Sequence, residues 1–277
     1  MDTPILVTGG TGTLGRLVVE QLRAAGLDVR VLSRRGGTPE DGVQHMTADL
    51  LSGVGLEPAG AGIETIVHCA GARTGDATAT RNLVEAAKRA GVRHLVYISV
   101  VGADRVPQSG RLDRAMFGYF GNKLATERVV AESGIPWSTL RATQFQATFL
   151  LVAQGMARLP LIPVPSGLRF QPVSEVEVAE RLVELALGAP AGPVPDLAGP
   201  EIASMADLIR AYLHASGKHR LLVPMPVPGR AARAMRDGAN LAPERAVGRR
   251  TWEEFLEQQL GPESRRAPEP ASPQCVP

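Results

Sequence analysis

Apolar positions along the chain follow two alternating periods. A short apolar run at 4–7 suits a strand buried on both faces, and 29–32, 43–46, 63–67, 95–98 and 137–140 read as five further strands. Between them the spacing turns helical. Leu14, Leu17, Val18 and Leu22 recur on one face, as do Leu83, Val84 and Ala87 within 80–90, where Gly91 supplies a stop signal. A loop rich in Gly, Pro and Asp at 102–113 leads into a further predicted helix ending near 132. Strand alternating with helix predicts an α/β fold, a doubly wound parallel sheet.

Beyond about residue 145 the rhythm loosens. Residues 160–165 read as an irregular, proline-punctuated segment, 175–187 and 205–215 as helices, and 252–256 as a short amphipathic helix whose Trp252, Phe255 and Leu256 anchor the end of the chain. These pieces are too interrupted for a second sheet domain. The expected organisation is a dinucleotide-binding core at 1–145, a smaller, irregular substrate-binding part at 146–261 completing the same domain, and a disordered tail at 262–277, which has almost no apolar residues. The irregular part is expected over the C-terminal edge of the strands, with 142–145, 160–170 and 230–236 lining or covering a cleft there.

Composition narrows the function classes. Thirty Lys and Arg against 28 Asp and Glu leave a formal net charge of +2, which does not argue for a nucleic-acid partner. Cys69 and Cys275 make neither a disulfide framework nor a zinc site, and the five histidines contain no i, i+4 pair. No metal is expected. The N-terminus lacks a signal-like segment and no apolar run is long enough to span a bilayer, so the expectation is a cytoplasmic protein without a membrane partner, monomer or homodimer left open.

The stretch that organises the chain is Thr8, Gly9, Gly10, Thr11, Gly12, Thr13, Leu14 and Gly15, lying between the first strand and the first helix. In that context Gly10, Gly12 and Gly15 are the glycine fingerprint of a Rossmann-type site. They permit a tight turn, close approach of backbone to a pyrophosphate, and close packing of helix on strand, while the helix N-terminus presents N–H groups to phosphate. After the second strand come Ser33, Arg34 and Arg35, where an NAD-preferring site carries an acid for the ribose 2′-hydroxyl. An acid would repel a 2′-phosphate, whereas a guanidinium binds one with matched geometry. NADP(H) is the expected cofactor.

A second constellation is Tyr119 and Lys123, one helical turn apart and so on one face. A free phenol is a weak acid at neutral pH. A neighbouring ammonium is expected to lower the Tyr119 pKa and make it a proton relay for a carbonyl oxygen, while Lys123 also holds ribose hydroxyls. Arg230, Arg233 and Arg236 fall near one helical face, read either as a solvated rim or as a basic lid over an acidic or phenolic substrate.

With these motifs the sequence resembles the atypical short-chain dehydrogenase/reductase superfamily, specifically its NmrA-like branch. Further carriers are 48–50, the run 82–92, 95–99, 119–127 and 136–141. The resemblance implies that Asp49 and Leu50 border the adenine, that Cys69, Ala70 and Gly71 line the cofactor cleft, and that the loop 142–145, with Thr143, approaches the nicotinamide. It also brings two departures. The superfamily's serine or threonine after the fifth strand would fall at Val100 or Val101, so Ser99 is either its stand-in or a strand-end serine satisfied by backbone. Cys69 replaces a frequent asparagine and reads as a small buried residue or, less simply, as a reactive thiol.

No Gly-x-Ser-x-Gly elbow and no Walker lysine are present, which removes acyl transfer and nucleotide hydrolysis. The expected function is an NADPH-dependent oxidoreductase delivering hydride to a small-molecule ketone, quinone or enone, with Tyr119, Lys123 and Ser99 as the catalytic set. The alternative is a non-catalytic NADP(H)-binding sensor, a role known among NmrA-like proteins.

Overall fold

The computed structural model describes residues 3–37, 41–71 and 75–261; the expected disordered tail at 262–277, with Cys275, lies outside the described residues. In chain order β1 (Ile5–Thr8), α1 (Thr13–Ala24), β2 (Val29–Ser33), β3 (Val43–Thr47), α2 (Leu56–Gly60), β4 (Thr65–His68), α3 (Asp76–Ala90), β5 (His94–Val100), α4 (Arg111–Ala131) and β6 (Trp137–Ala142) build the first half. There follow α5 (Gln146–Met156), β7 (Leu161–Pro165), β8 (Arg169–Phe170), α6 (Glu175–Leu187), β9 (Gly192–Pro193), β10 (Ala203–Ser204), α7 (Met205–Ala215), β11 (Leu221–Met225), α8 (Arg230–Arg236) and α9 (Trp252–Leu260).

Seven strands form one parallel sheet in the order β3-β2-β1-β4-β5-β6-β9. The chain runs outward from β1 in one direction and from β4 in the other. Their C-terminal ends therefore open a crevice where the order reverses, and the Gly9 to Gly15 turn sits at its mouth. Side chains alternate across the sheet. Val7, Val31, Val96 and Leu140 face α1 and α6, where Leu14, Val18, Leu22, Val178 and Leu182 close one core. Leu6, Leu32, Ile66 and Leu95 face the opposite way onto α2, α3 and α4, with Leu56, Leu83, Val84 and Val130. Helices α6 and α7 span the residues their spacing predicts.

A third core gathers the C-terminal part on the side of β5 and α4. Phe149 meets Phe170 and Trp252 edge to face at 5.2 and 6.5 Å, and Trp252 stacks on Phe255. Trp252 Nε1 donates to the Leu208 carbonyl at 3.0 Å, and Thr251 and Glu254 form a capping box that starts α9. The segment expected to be irregular at 160–165 is instead the strand β7, paired in parallel with β11 from Leu161↔Leu221 to Pro165↔Met225. Prolines at 163, 165 and 224 hid it, because proline is tolerated in a two-stranded sheet where half the backbone groups face outward.

Candidate active site

The glycine turn has no room for side chains where it meets the sheet. Gly9 has φ +70°, and a Cβ there would lie 2.7 Å from the Ala70 nitrogen; a Cβ at Gly15 would lie 2.1 Å from the Gly9 carbonyl oxygen. Close packing thus presses the start of α1 onto the end of β1. Gly12, at the N-cap, receives no side-chain cap, and the first turn of α1 carries no acid, leaving a positive helix end toward the crevice.

A cavity of about 430 Å³ opens there, lined by Gly9, Thr11 and Gly12 from the turn and by Cys69, Ala70 and Gly71 after β4. Ser33 and Arg34 form one end wall and Asp49 and Leu50 another. The Asp49 carboxylate accepts from the Leu51 nitrogen at 2.9 Å, and Asn82 Nδ2 donates to the Leu50 and Leu51 carbonyls at 2.8 and 2.9 Å, so this wall is held from behind. Ser33 Oγ donates to the Gly36 carbonyl at 2.7 Å, which spends its proton on the turn and leaves Arg34 as the cation of that wall. Thr8, Gly10, Leu14 and Gly15 support the lining from beneath, and Thr13 and Arg35 are exposed. The uncapped helix end, the glycine cradle and Arg34 fit a phosphorylated dinucleotide. Among the described residues no His, Cys, Asp or Glu cluster could hold a metal ion.

Two residues of the cavity were not singled out by sequence. His68 is buried, with Nδ1 2.6 Å from Thr8 Oγ1 and Nε2 2.9 Å from Thr80 Oγ1, and its ring stacks on Tyr97 at 5.5 Å. Burial, helped by the Lys123 charge, pushes its pKa down to about 3, so it is a neutral tie between β1, β4 and α3. Asp76, at the start of α3, is also buried and in the lining. A Cβ on Gly71 would lie 3.8 Å from both Asp76 Oδ2 and Lys123 Nζ, which brings carboxylate and ammonium close to one lining residue. No sequence pattern signals either residue, since their partners lie on other elements.

Lys123 and Tyr119 do share a face of α4. Lys123 is buried; its Nζ donates to the Ile98 carbonyl at 3.1 Å and stands 5.0 Å from the Tyr97 ring centre and 5.8 Å from that of Tyr119. Burial lowers its pKa, and Asp76 works against that. Tyr119 is half exposed and, like Lys123 and Ser99, is not among the residues lining the cavity; its phenol does not follow the expectation of a lowered pKa. Surrounding protein and then the Asp76 carboxylate push it up to about 12. The ammonium faces the ring and the Ile98 carbonyl, while Asp76 opposes a phenolate.

Ser99 lies on the same face of β5 as Tyr97, buried, its hydroxyl without a hydrogen-bond partner; it is not the backbone-satisfied serine that one reading expected. The Cys69 thiol is partly buried in the cavity lining, and burial pushes its pKa up to about 12, which disfavours the thiolate. Thr143 is buried and outside the cavity lining; its Oγ1 accepts from the Gly199 nitrogen at 3.3 Å, tying the end of β6 to the following chain. Residues 160–170 and 230–236 do not line this cavity either: Ile162, Val164 and Phe170, with Ala231 and Met235, fill the third core. That core nevertheless sits at the C-terminal edge of the sheet, since the Ala231 nitrogen donates to Asp113 of α4 at 3.2 Å and Gly102, just past β5, packs on the Ala239 carbonyl.

A family model described as NAD(P)H-binding matches residues 9–150, about half of the chain. An NAD(P)H azoreductase of Xenophilus azovorans is 28% identical over 229 residues, covering 77% of this chain and 74% of that protein. A photosystem II assembly factor, Ycf39, of Synechocystis is 28% identical over 153 residues, covering 51% of this chain and 44% of that protein. This chain spans between about a third and a half of the length of several curated relatives it matches. Among solved structures, the Escherichia coli NADPH-dependent quinone oxidoreductase complexed with NADPH aligns at TM-score 0.76 and 21% identity, over 92% of this chain and 99% of that one. At that identity the likeness is one of fold.

Proposed function

Because the chain belongs to the NAD(P)H-binding family, we propose that it is an NmrA-like atypical short-chain dehydrogenase/reductase that binds NADP(H) and acts as a cytoplasmic reductase of a small-molecule ketone, quinone or enone. The observation that carries the reading is the placement of Tyr119 and Lys123 on one face of α4, with Lys123 Nζ close behind the lining residue Gly71, 3.8 Å from where a Cβ on that glycine would lie. A binding protein needs the phosphate turn and Arg34 but has no use for a phenol beside that lysine.

The cofactor, when bound, supplies hydride. The N-terminus of α1 would hold the pyrophosphate, Arg34 the 2′-phosphate, Asp49 and Leu50 the edge of the adenine, and Lys123 the ribose hydroxyls. A phenol is protonated at neutral pH at its ordinary pKa already, and the upward push on Tyr119 makes it a weaker acid still, so it stands as a donor at its hydroxyl rather than as a base. A ketone oxygen that gains negative charge becomes far more basic than a phenolate and takes that proton. The buried Ser99 hydroxyl of β5, without a hydrogen-bond partner among the described residues, is the second candidate donor to such an oxygen. A quinone yields a product anion that is itself phenolic, so Tyr119 contributes less there. The second reading, an NADP(H)-binding sensor in which neither group does chemistry, is favoured by the absence of Tyr119 and Ser99 from the cavity lining.

Oxidation of NADPH by the purified protein, followed against a panel of ketones, enones and quinones, tests the proposal. Acceptor-dependent oxidation that Tyr119→Phe slows about a hundredfold on a ketone supports it. NADPH binding without oxidation by any acceptor selects the sensor.

A further inference from the structure

The two strands that sequence reading passed over carry a surface that the cofactor site does not explain. In the β7 and β11 pair, Ile162, Val164 and Leu222 turn inward to the third core. The opposite face holds Leu161 beside Leu221, Pro163 beside Val223, and Pro165 beside Met225. Every position on it is apolar, where a solvated sheet face alternates to polar. Leu161, Leu221 and Met225 are 54%, 65% and 49% exposed, and Leu159 just before β7 is 45% exposed.

The segments that carry this face hold charge of one sign. Residues 133–174 and 208–236, which contribute β7 and β11, contain no Asp or Glu, although the whole chain is nearly balanced at 30 basic to 28 acidic residues. At the N-terminal end of both strands Arg158, His219 and Arg220 gather with Leu221 around an open depression, and the exposed Lys218 stands next to them. At the C-terminal end Arg236 packs on Gly167 and donates to the Val227 carbonyl, with Arg230 exposed beyond it. Asp113, the acid that reaches α8, is buried and spent on Ser109 and the Ala231 nitrogen. An apolar plate is thus bounded at both ends by cations.

We propose that this face rests on an anionic lipid bilayer, with Leu159, Leu161, Leu221 and Met225 entering the headgroup boundary and Arg158, Lys218, Arg220 and Arg230 meeting lipid phosphates. Shallow apolar insertion and juxtaposed basic residues reinforce one another in such binding. The charge pattern argues against a second copy of the chain, because stacking two such plates brings like charges together. Prolines 163, 165 and 224 interrupt the outer edges against strand addition by a protein partner. The expectation of no membrane partner rests on span length, and no helix among the described residues is long and apolar enough to cross a membrane; a surface contact needs no span.

Sedimentation of the full chain with vesicles tests the inference, using phosphatidylcholine alone and an equal mixture with phosphatidylglycerol. The wild type is expected to pellet with the mixed vesicles only, and less as salt is raised. Arg158→Glu with Lys218→Glu should weaken this about tenfold or more, and Leu161→Gln, Leu221→Gln and Met225→Gln together should abolish it. Leu221→Gln alone, at the most exposed of these positions, gives a partial loss should the triple variant fold poorly; an unchanged melting temperature and NADPH affinity confirm folding. Failure of the wild type to pellet with mixed vesicles, or equal pelleting by a folded apolar variant, overturns the inference. So does a dimer by light scattering that the apolar substitutions dissolve, which would assign the plate to a second copy of the chain.

Discussion

Arg34 is the exposed cation in the wall where the second strand ends, and charge-assisted bonds to a phosphate contribute about 1.5–3 kcal/mol. Arg34→Ala should therefore weaken NADPH by about tenfold to a hundredfold and leave NADH nearly unchanged, as calorimetric titration of both cofactors would show; an unaltered preference would move the 2′-phosphate contact elsewhere. His68 carries the clearest pH signature. Its folded pKa of about 3 lies below the ordinary value of 6.5, so the unfolded chain binds the proton more readily and stability is lost as pH falls through that window. The loss reaches about 4 kcal/mol at its acid end. Chemical denaturation at pH 7 and pH 4 checks it, with His68→Gln expected to flatten the difference while costing stability at both. What was legible at this scale is what local spacing carries: the glycines, Arg34, and Tyr119 with Lys123. The height of the Tyr119 pKa was not, because it depends on Asp76 from another helix and on burial, neither of which a four-residue spacing contains.

Among the elements, β1, β2, β4, β5 and β6 were readable because strands buried on both faces leave short apolar runs. Helix α6 was readable for the complementary reason, one apolar stripe over an otherwise polar surface. β7 and β11 were not, since prolines mimic loop chemistry and their pairing joins residues sixty positions apart in sequence. Two substitutions separate the elements' roles. Leu182→Ala, fully buried between α6 and the sheet, should cost about 2–5 kcal/mol by denaturant titration with cofactor affinity retained below the melting temperature. Gly15→Ala has no space against the Gly9 carbonyl, so it should open the α1 turn and lower NADPH affinity at least tenfold as well as stability; binding equal to wild type would show that the close approach of α1 to β1 is dispensable.

At the scale of the whole molecule, the parallel sheet places the phosphate turn and the end of β5 on one edge, and the C-terminal part docks there through Asp113 and Gly102. That assembly brings Lys123 of α4 up behind Gly71 and Asp76 of the cavity lining, which no single segment of the sequence displays. The proposed transfer of hydride from NADPH to a small acceptor is measured directly by an anaerobic single turnover with protein in excess over NADPH, quenched after mixing with a ketone, enone or quinone. One NADP⁺ and one reduced acceptor are expected per NADPH bound. NADPH held by the protein and recovered unchanged with every acceptor class would rule the transfer out.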